Sequence, residues 1–97
     1  MDEKTVRGSA QAHGDAVARN DLRTAGGDLA PEAMKAAGEV MGRLPKPVQG
    51  AEVIEVSEDG SVFVATIRYR GETEEKVVES RWEDREGTPK IVDLRIV

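Results

Sequence analysis

Apolar residues recur at two different spacings along this chain, and the spacing changes at LPKPVQG, residues 44–50. Upstream, Val6, Ala10, His13 and Val17 lie four, three and four positions apart, which puts them on one face of a helix over residues 4–19. Asn20 reads as the N-cap of a short second helix beginning at Asp21. Ala25-Gly26-Gly27 would end it, because glycine takes the left-handed conformation at a helix C-terminus without penalty. Pro31 suits the first turn of a third helix, with Glu32 near the positive end of its dipole. Ala33, Met34, Ala37, Val40, Met41 and Leu44 then share a face, the two methionines serving as core filler, and Pro45 stops the helix.

Downstream of residue 50 the period falls to two, with Val, Ile, Thr and aromatics alternating with charges. Turn chemistry pairs the strands. Asp59-Gly60 reads as a type I′ hairpin centre, setting Ser57 opposite Val62, Val56 opposite Phe63 and Ile54 opposite Ala65. A turn at Gly71-Glu72 sets Ala65 opposite Val78 and Phe63 opposite Ser80. A three-residue loop, Glu86-Gly87-Thr88, sets Trp82 opposite Val92, Arg81 opposite Asp93 and Glu79 opposite Arg95; a two-residue loop would turn Asp93 and Arg95 onto the apolar face.

These registers give the sheet two unlike faces. The inner one carries Ile54, Val56, Phe63, Ala65, Ile67, Tyr69, Val78, Ser80, Trp82, Val92, Leu94 and Ile96. The outer one mixes Val53, Val62, Val64, Thr66, Val77, Ile91 and Val97 with Arg68, Arg70, Glu79, Arg81, Glu83, Asp93 and Arg95. Opposed charges there suit cross-strand pairs, and so much Val and Ile among them also suits a subunit interface. The expected architecture is therefore α+β: three N-terminal helices (1–45) packed on a curved four-stranded antiparallel sheet (50–97), in one domain spanning residues 1–97.

Composition narrows the chemistry. At 97 residues the chain can remove roughly two-thirds of its unfolded surface from water. The 19 acidic residues are interspersed among 14 basic ones for a net charge of −5, with no basic stripe, so nucleic acid is not an expected partner. No cysteine is present, which removes thiolate chemistry, disulfides and Cys-ligated zinc. No apolar run is long enough for a membrane span or a signal peptide, and a soluble cytoplasmic protein is the expectation. A single His without spaced partners cannot build a metal site, and no glycine-rich loop follows a strand, so no metal or cofactor is expected.

DAVARNDL, DLAPEA and the closing SRWEDREGTPKIVDLRIV together resemble the SnoaL-like branch of the nuclear transport factor 2-like superfamily, over most of the chain. The resemblance implies a cone-shaped α+β barrel with a pocket between helices and sheet, and a homodimer formed through the sheet. Enzymes of that superfamily, such as ketosteroid isomerases and polyketide cyclases, project a carboxylate into the pocket. Here the inner face offers no Asp, and the nearest carboxylates, Glu52 and Glu74, fall at strand ends. A cystatin-like helix-on-sheet domain is the other fold that fits the order of elements.

The pocket candidates are His13, Glu52, Phe63, Tyr69, Ser80 and Trp82; the candidate dimer face is Val62, Val64, Thr66, Arg68, Glu79, Arg81, Asp93 and Arg95. His13 is read first as a packed helix histidine whose ring nitrogen finds a local partner or water. Asp15, two positions on, points elsewhere on the helix, so Glu52 and Tyr69 are its candidate partners in any chemistry. Ser80 should satisfy itself on backbone. Two functions follow: non-catalytic binding of a small apolar ligand or a protein, or a small isomerase, cyclase or dehydratase using His13 with Glu52 or Tyr69.

Overall fold

In a computed structural model that describes residues 1–97, Asp2 opens helix α1 (Glu3–Ala18) by accepting the Thr5 N–H at 2.8 Å. The helix ends in a Schellman motif: the Asp21 N–H reaches the Ala16 carbonyl at 2.8 Å and the Asn20 N–H reaches that of Val17 at 3.0 Å, with Asn20 left-handed at φ 61°. Asn20 therefore closes α1 rather than opening the next helix. Asp21 caps α2 (Leu22–Gly26), its carboxylate accepting the Thr24 N–H at 3.2 Å and the Thr24 hydroxyl at 2.7 Å. Pro31 starts a 3₁₀ turn (Pro31–Ala33) that runs into α3 (Met34–Met41). That helix ends at Gly42, ahead of Pro45, and Met34 is 56% exposed, so only Met41 of the methionine pair packs against the core.

The strands β1 (Gly50–Asp59), β2 (Val62–Arg70), β3 (Glu75–Arg85) and β4 (Thr88–Ile96) form one antiparallel sheet in chain order. The fold is α+β, helices first and sheet second. Trp82, Ile67, Ile91, Val6 and Val78 are the largest of the fully enclosed apolar side chains, where α1 lies against the sheet. All three aromatics are buried there. The approach is close at Gly14, where a Cβ would stand 2.9 Å from the Ala51 Cβ.

The registers differ from the expected ones at every hairpin. The first turn is centred one residue later, on Gly60-Ser61, because only Gly60 has a positive φ (66°), the requirement of a type II′ turn. Val56 thus faces Ala65 rather than Phe63. The second connection is the four residues 71–74, closed by the Gly71 N–H on the Glu74 carbonyl at 2.8 Å, so Phe63 faces Trp82 and Ser80 faces Ala65. Both shifts move partners by two positions and leave each side chain on its expected face.

Two bulges do change faces. Between Val53 and Glu55 the ladder slips, so that Val53 faces Ile67 and packs against the core while Ile54 turns out to 40% exposure. Between Arg81 and Trp82 a second slip sets Trp82 opposite Ile91, which is fully buried, and leaves Val92 half-buried. The β3–β4 loop is in fact the two-residue type I′ turn Glu86-Gly87, with φ of 57° and 84°. The bulge absorbs its change of register, so Arg81–Asp93 and Glu79–Arg95 still pair as expected.

Candidate functional site

His13 enters the interior because α1 turns it onto the same stripe as Val6, Ala10 and Val17, and it is 6% exposed. The ring's Nδ1 lies 3.0 Å from the Asp28 Oδ2, and the ring stands at 87° to the Trp82 ring with centroids 6.2 Å apart. Asp28 belongs to the segment between α2 and the Pro31 turn, and its backbone is tied to the edge of β4. Ile91 N–H donates to the Asp28 carbonyl and Ala30 N–H to the Ile91 carbonyl, both at 2.8 Å, forming a parallel bridge at Leu29. The Lys90 ammonium adds a hydrogen bond to the Gly27 carbonyl at 2.6 Å. The carboxylate is therefore carried by a loop held like a fifth strand.

Behind His13, Trp82 Nε1–H donates to Ser80 Oγ at 2.9 Å, and the Ser80 hydroxyl donates to the Ala65 carbonyl at 2.8 Å. Ser80 is thus satisfied on backbone and indole, with no base beside it.

In front of His13 is an apolar pocket of about 130 Å³, walled among others by Val17, Leu29, Val40, Leu44, Val78 and Leu94. His13 and Tyr69 are its two residues with functional polar side-chain atoms. Nδ1 of the imidazole is taken by Asp28, while Nε2 and the Tyr69 hydroxyl have no partner within the chain. No enclosed side-chain nitrogen or oxygen goes unpartnered, so neither atom is completely enclosed. Burial pushes the Tyr69 phenol well above its ordinary ionisation range, which keeps it a neutral O–H donor. The Asp28 contact occupies Nδ1 and leaves Nε2 as the ring's other hydrogen-bonding nitrogen. The wall therefore carries one phenol and one imidazole in apolar surroundings.

Of the expected pocket residues, His13 and Tyr69 come together. Glu52 does not join them: it is exposed and paired with Arg68 at 3.3 Å. Phe63, Ser80 and Trp82 lie in the core without lining the cavity. Asp28 was not among the candidates, and its one sequence signal is that a buried histidine needs an acceptor that the helix itself does not supply. On the outer face, Arg95 pairs with Glu79 at 2.7 Å and Arg81 with Asp59 at 3.0 Å, while Val62, Val64 and Thr66 are half-buried between them. No group of three metal-binding side chains occurs, and no helix is long and apolar enough to cross a membrane. No family model matches the chain, and no curated protein or solved structure matches it significantly.

Proposed function

We propose that this protein binds a small apolar ligand bearing one polar group, held in the pocket between α1, α3 and the sheet. The observation that carries this reading is the pairing of a free Tyr69 hydroxyl with a free His13 Nε2 on a wall that is otherwise apolar. Cyclohexanol and methylcyclohexane are matched probes, read through Trp82, the chain's single tryptophan, which packs against His13. Tyr69→Phe should weaken cyclohexanol by about 3- to 10-fold, the worth of one neutral hydrogen bond, and leave methylcyclohexane unchanged. Equal effects on both probes, or no binding of either, would end the proposal.

A second reading is favoured by one observation, the 3.0 Å contact that ties His13 to Asp28. A carboxylate on Nδ1 orients the ring and stabilises the imidazolium formed when Nε2 takes a proton. With a ketone in the pocket, His13 would abstract an α-proton while the Tyr69 O–H hydrogen-bonds the developing enolate oxygen. Exchange of the α-hydrogens of cyclohexanone in heavy water tests it: exchange above the buffer rate in the wild type, lost in Asp28→Asn, supports catalysis. Exchange at the buffer rate leaves binding alone.

The SnoaL-like resemblance supports both readings, since it implies a pocket in this place. It also supports a homodimer through the outer sheet face, where half-buried Val62, Val64 and Val77 sit among ion pairs. Val64→Glu would then yield a monomer by sedimentation, and a dimer persisting at the same concentration rules that surface out.

A further inference from the structure

The pocket at His13 shares a wall with a second cavity. Val17, Leu22, Met41 and Leu44 line both, and the outer one, about 490 Å³, continues over Ala18, Pro45, Pro47 and Val48. Its polar members are Asn20 and Lys46, and the Lys46 ammonium is engaged by the last carbonyls of α3, Met41 at 3.1 Å and Gly42 at 3.4 Å. Leu22, at the junction, is 48% exposed although both cavities around it are mainly apolar. The inner space of about 130 Å³ is close to the engineered cavity of about 150 Å³ that admits benzene, so it holds roughly six carbons. A longer ligand has an apolar way out past Leu22 and Met41.

We propose that the two cavities form one channel for an elongated aliphatic alcohol, its hydroxyl at His13 and Tyr69 and its chain leaving between Leu22 and Met41 across Ala18 and Val48. The proposal rests on the inner pocket being a ligand site. The hydroxyl follows from the wall. Tyr69 supplies a hydroxyl and His13 a ring nitrogen, and a ligand hydroxyl, being both donor and acceptor, can bond to each. A carboxylate end would face the Asp28 side chain across the imidazole ring. The chain follows from the outer walls, which beside Asn20 and Lys46 are apolar at Ala18, Pro45, Pro47 and Val48.

The test is a series of 1-butanol, 1-hexanol and 1-octanol, followed by Trp82 fluorescence and by the ring resonances of His13, the single histidine. Affinity should rise about fourfold per added methylene through octanol, so that octanol binds more than tenfold tighter than hexanol. All three should shift the His13 resonances alike. Ala18→Glu places a charge in the outer cavity, which Ala18 lines without touching the inner one. It should leave hexanol binding unchanged and remove the octanol advantage, and Val48→Asn should do the same if the first variant does not fold. Octanol binding no tighter than hexanol overturns the channel while leaving the inner site standing. So does an octanol advantage that survives in a folded variant. Failure of all three alcohols to move His13 overturns the inner site and the channel together.

Discussion

Replacing Ser80 with alanine removes one oxygen from the interior and should cost far more than its size suggests. Ser80 and Trp82 are both fully buried; the indole N–H donates to Ser80 Oγ at 2.9 Å, and the hydroxyl passes its own hydrogen to the Ala65 carbonyl at 2.8 Å. Alanine strands the indole N–H where no other acceptor reaches it, at about 1–3 kcal/mol, and also gives up the bond to Ala65. The hydroxyl's own desolvation is recovered in return, so a net loss of about 2 kcal/mol is expected. In a chain this short that lowers Tm by roughly 8–16 °C. The assay is urea and thermal unfolding followed by far-ultraviolet circular dichroism, repeated in a Trp82→Phe background, which has no N–H to strand. There Ser80→Ala should cost at least about 1 kcal/mol less. Equal costs in the two backgrounds, within the ~0.5 kcal/mol expected of independent sites, would refute the hydrogen-bond relay.

Trp82→Ala should cost about 3–5 kcal/mol, since it removes the largest enclosed side chain and the edge contact to His13; a loss below about 1 kcal/mol in urea unfolding would contradict its place at the centre. Gly14→Ala gains about 1 kcal/mol of helix propensity but drives a methyl to 2.9 Å from the Ala51 Cβ and 3.4 Å from the Ile67 Cγ2, so net destabilisation of up to about 2 kcal/mol is expected, and a more stable variant would contradict the close approach. Tyr69 is the only tyrosine, and its raised ionisation means the unfolded chain loses this proton first. Stability therefore falls as pH rises from about 10, with tyrosinate absorbance appearing only as the circular dichroism is lost. A phenol that titrates near pH 10 in the folded protein would show it unburied.

Element types were legible because each half of the chain keeps one period. The α1 stripe of Val6, Ala10, His13 and Val17 is buried, and the alternation of β2 and β3 matches their burial. Period two survives any register shift by two, so the first two hairpins could be mispaired without moving a side chain to the other face. Bulges break that protection. In β1, GAEVIEVSED offers Val53 and Ile54 side by side, and alternation alone prefers whichever keeps step with Val56. The chain instead spends an extra residue, exposing Ile54 so that Val53 and Ala51 can meet α1. Gln11 secures this edge, accepting from Val53 N–H at 3.1 Å and donating to the Ala51 carbonyl at 3.0 Å. No local pattern announces that contact across some forty residues.

The misread face of β4 and the missed partner of His13 have one origin. The Glu86-Gly87 turn and the outward Asp93 and Arg95 make opposite demands on register, and a regular ladder can meet only one of them. Lengthening the loop honours the charges and puts Val92 inside. The protein honours both with a bulge, which brings Ile91 into the core opposite Trp82. That same residue gives its N–H to the Asp28 carbonyl and its carbonyl to the Ala30 N–H, fixing the loop that carries the carboxylate to Nδ1. The acid facing His13 is thus set by where one strand residue points, fifteen positions of sequence having no bearing on it. A search along the sheet for an acid near its inner face could find only Glu52 and Glu74 at strand ends, and the structure spends Glu52 on Arg68.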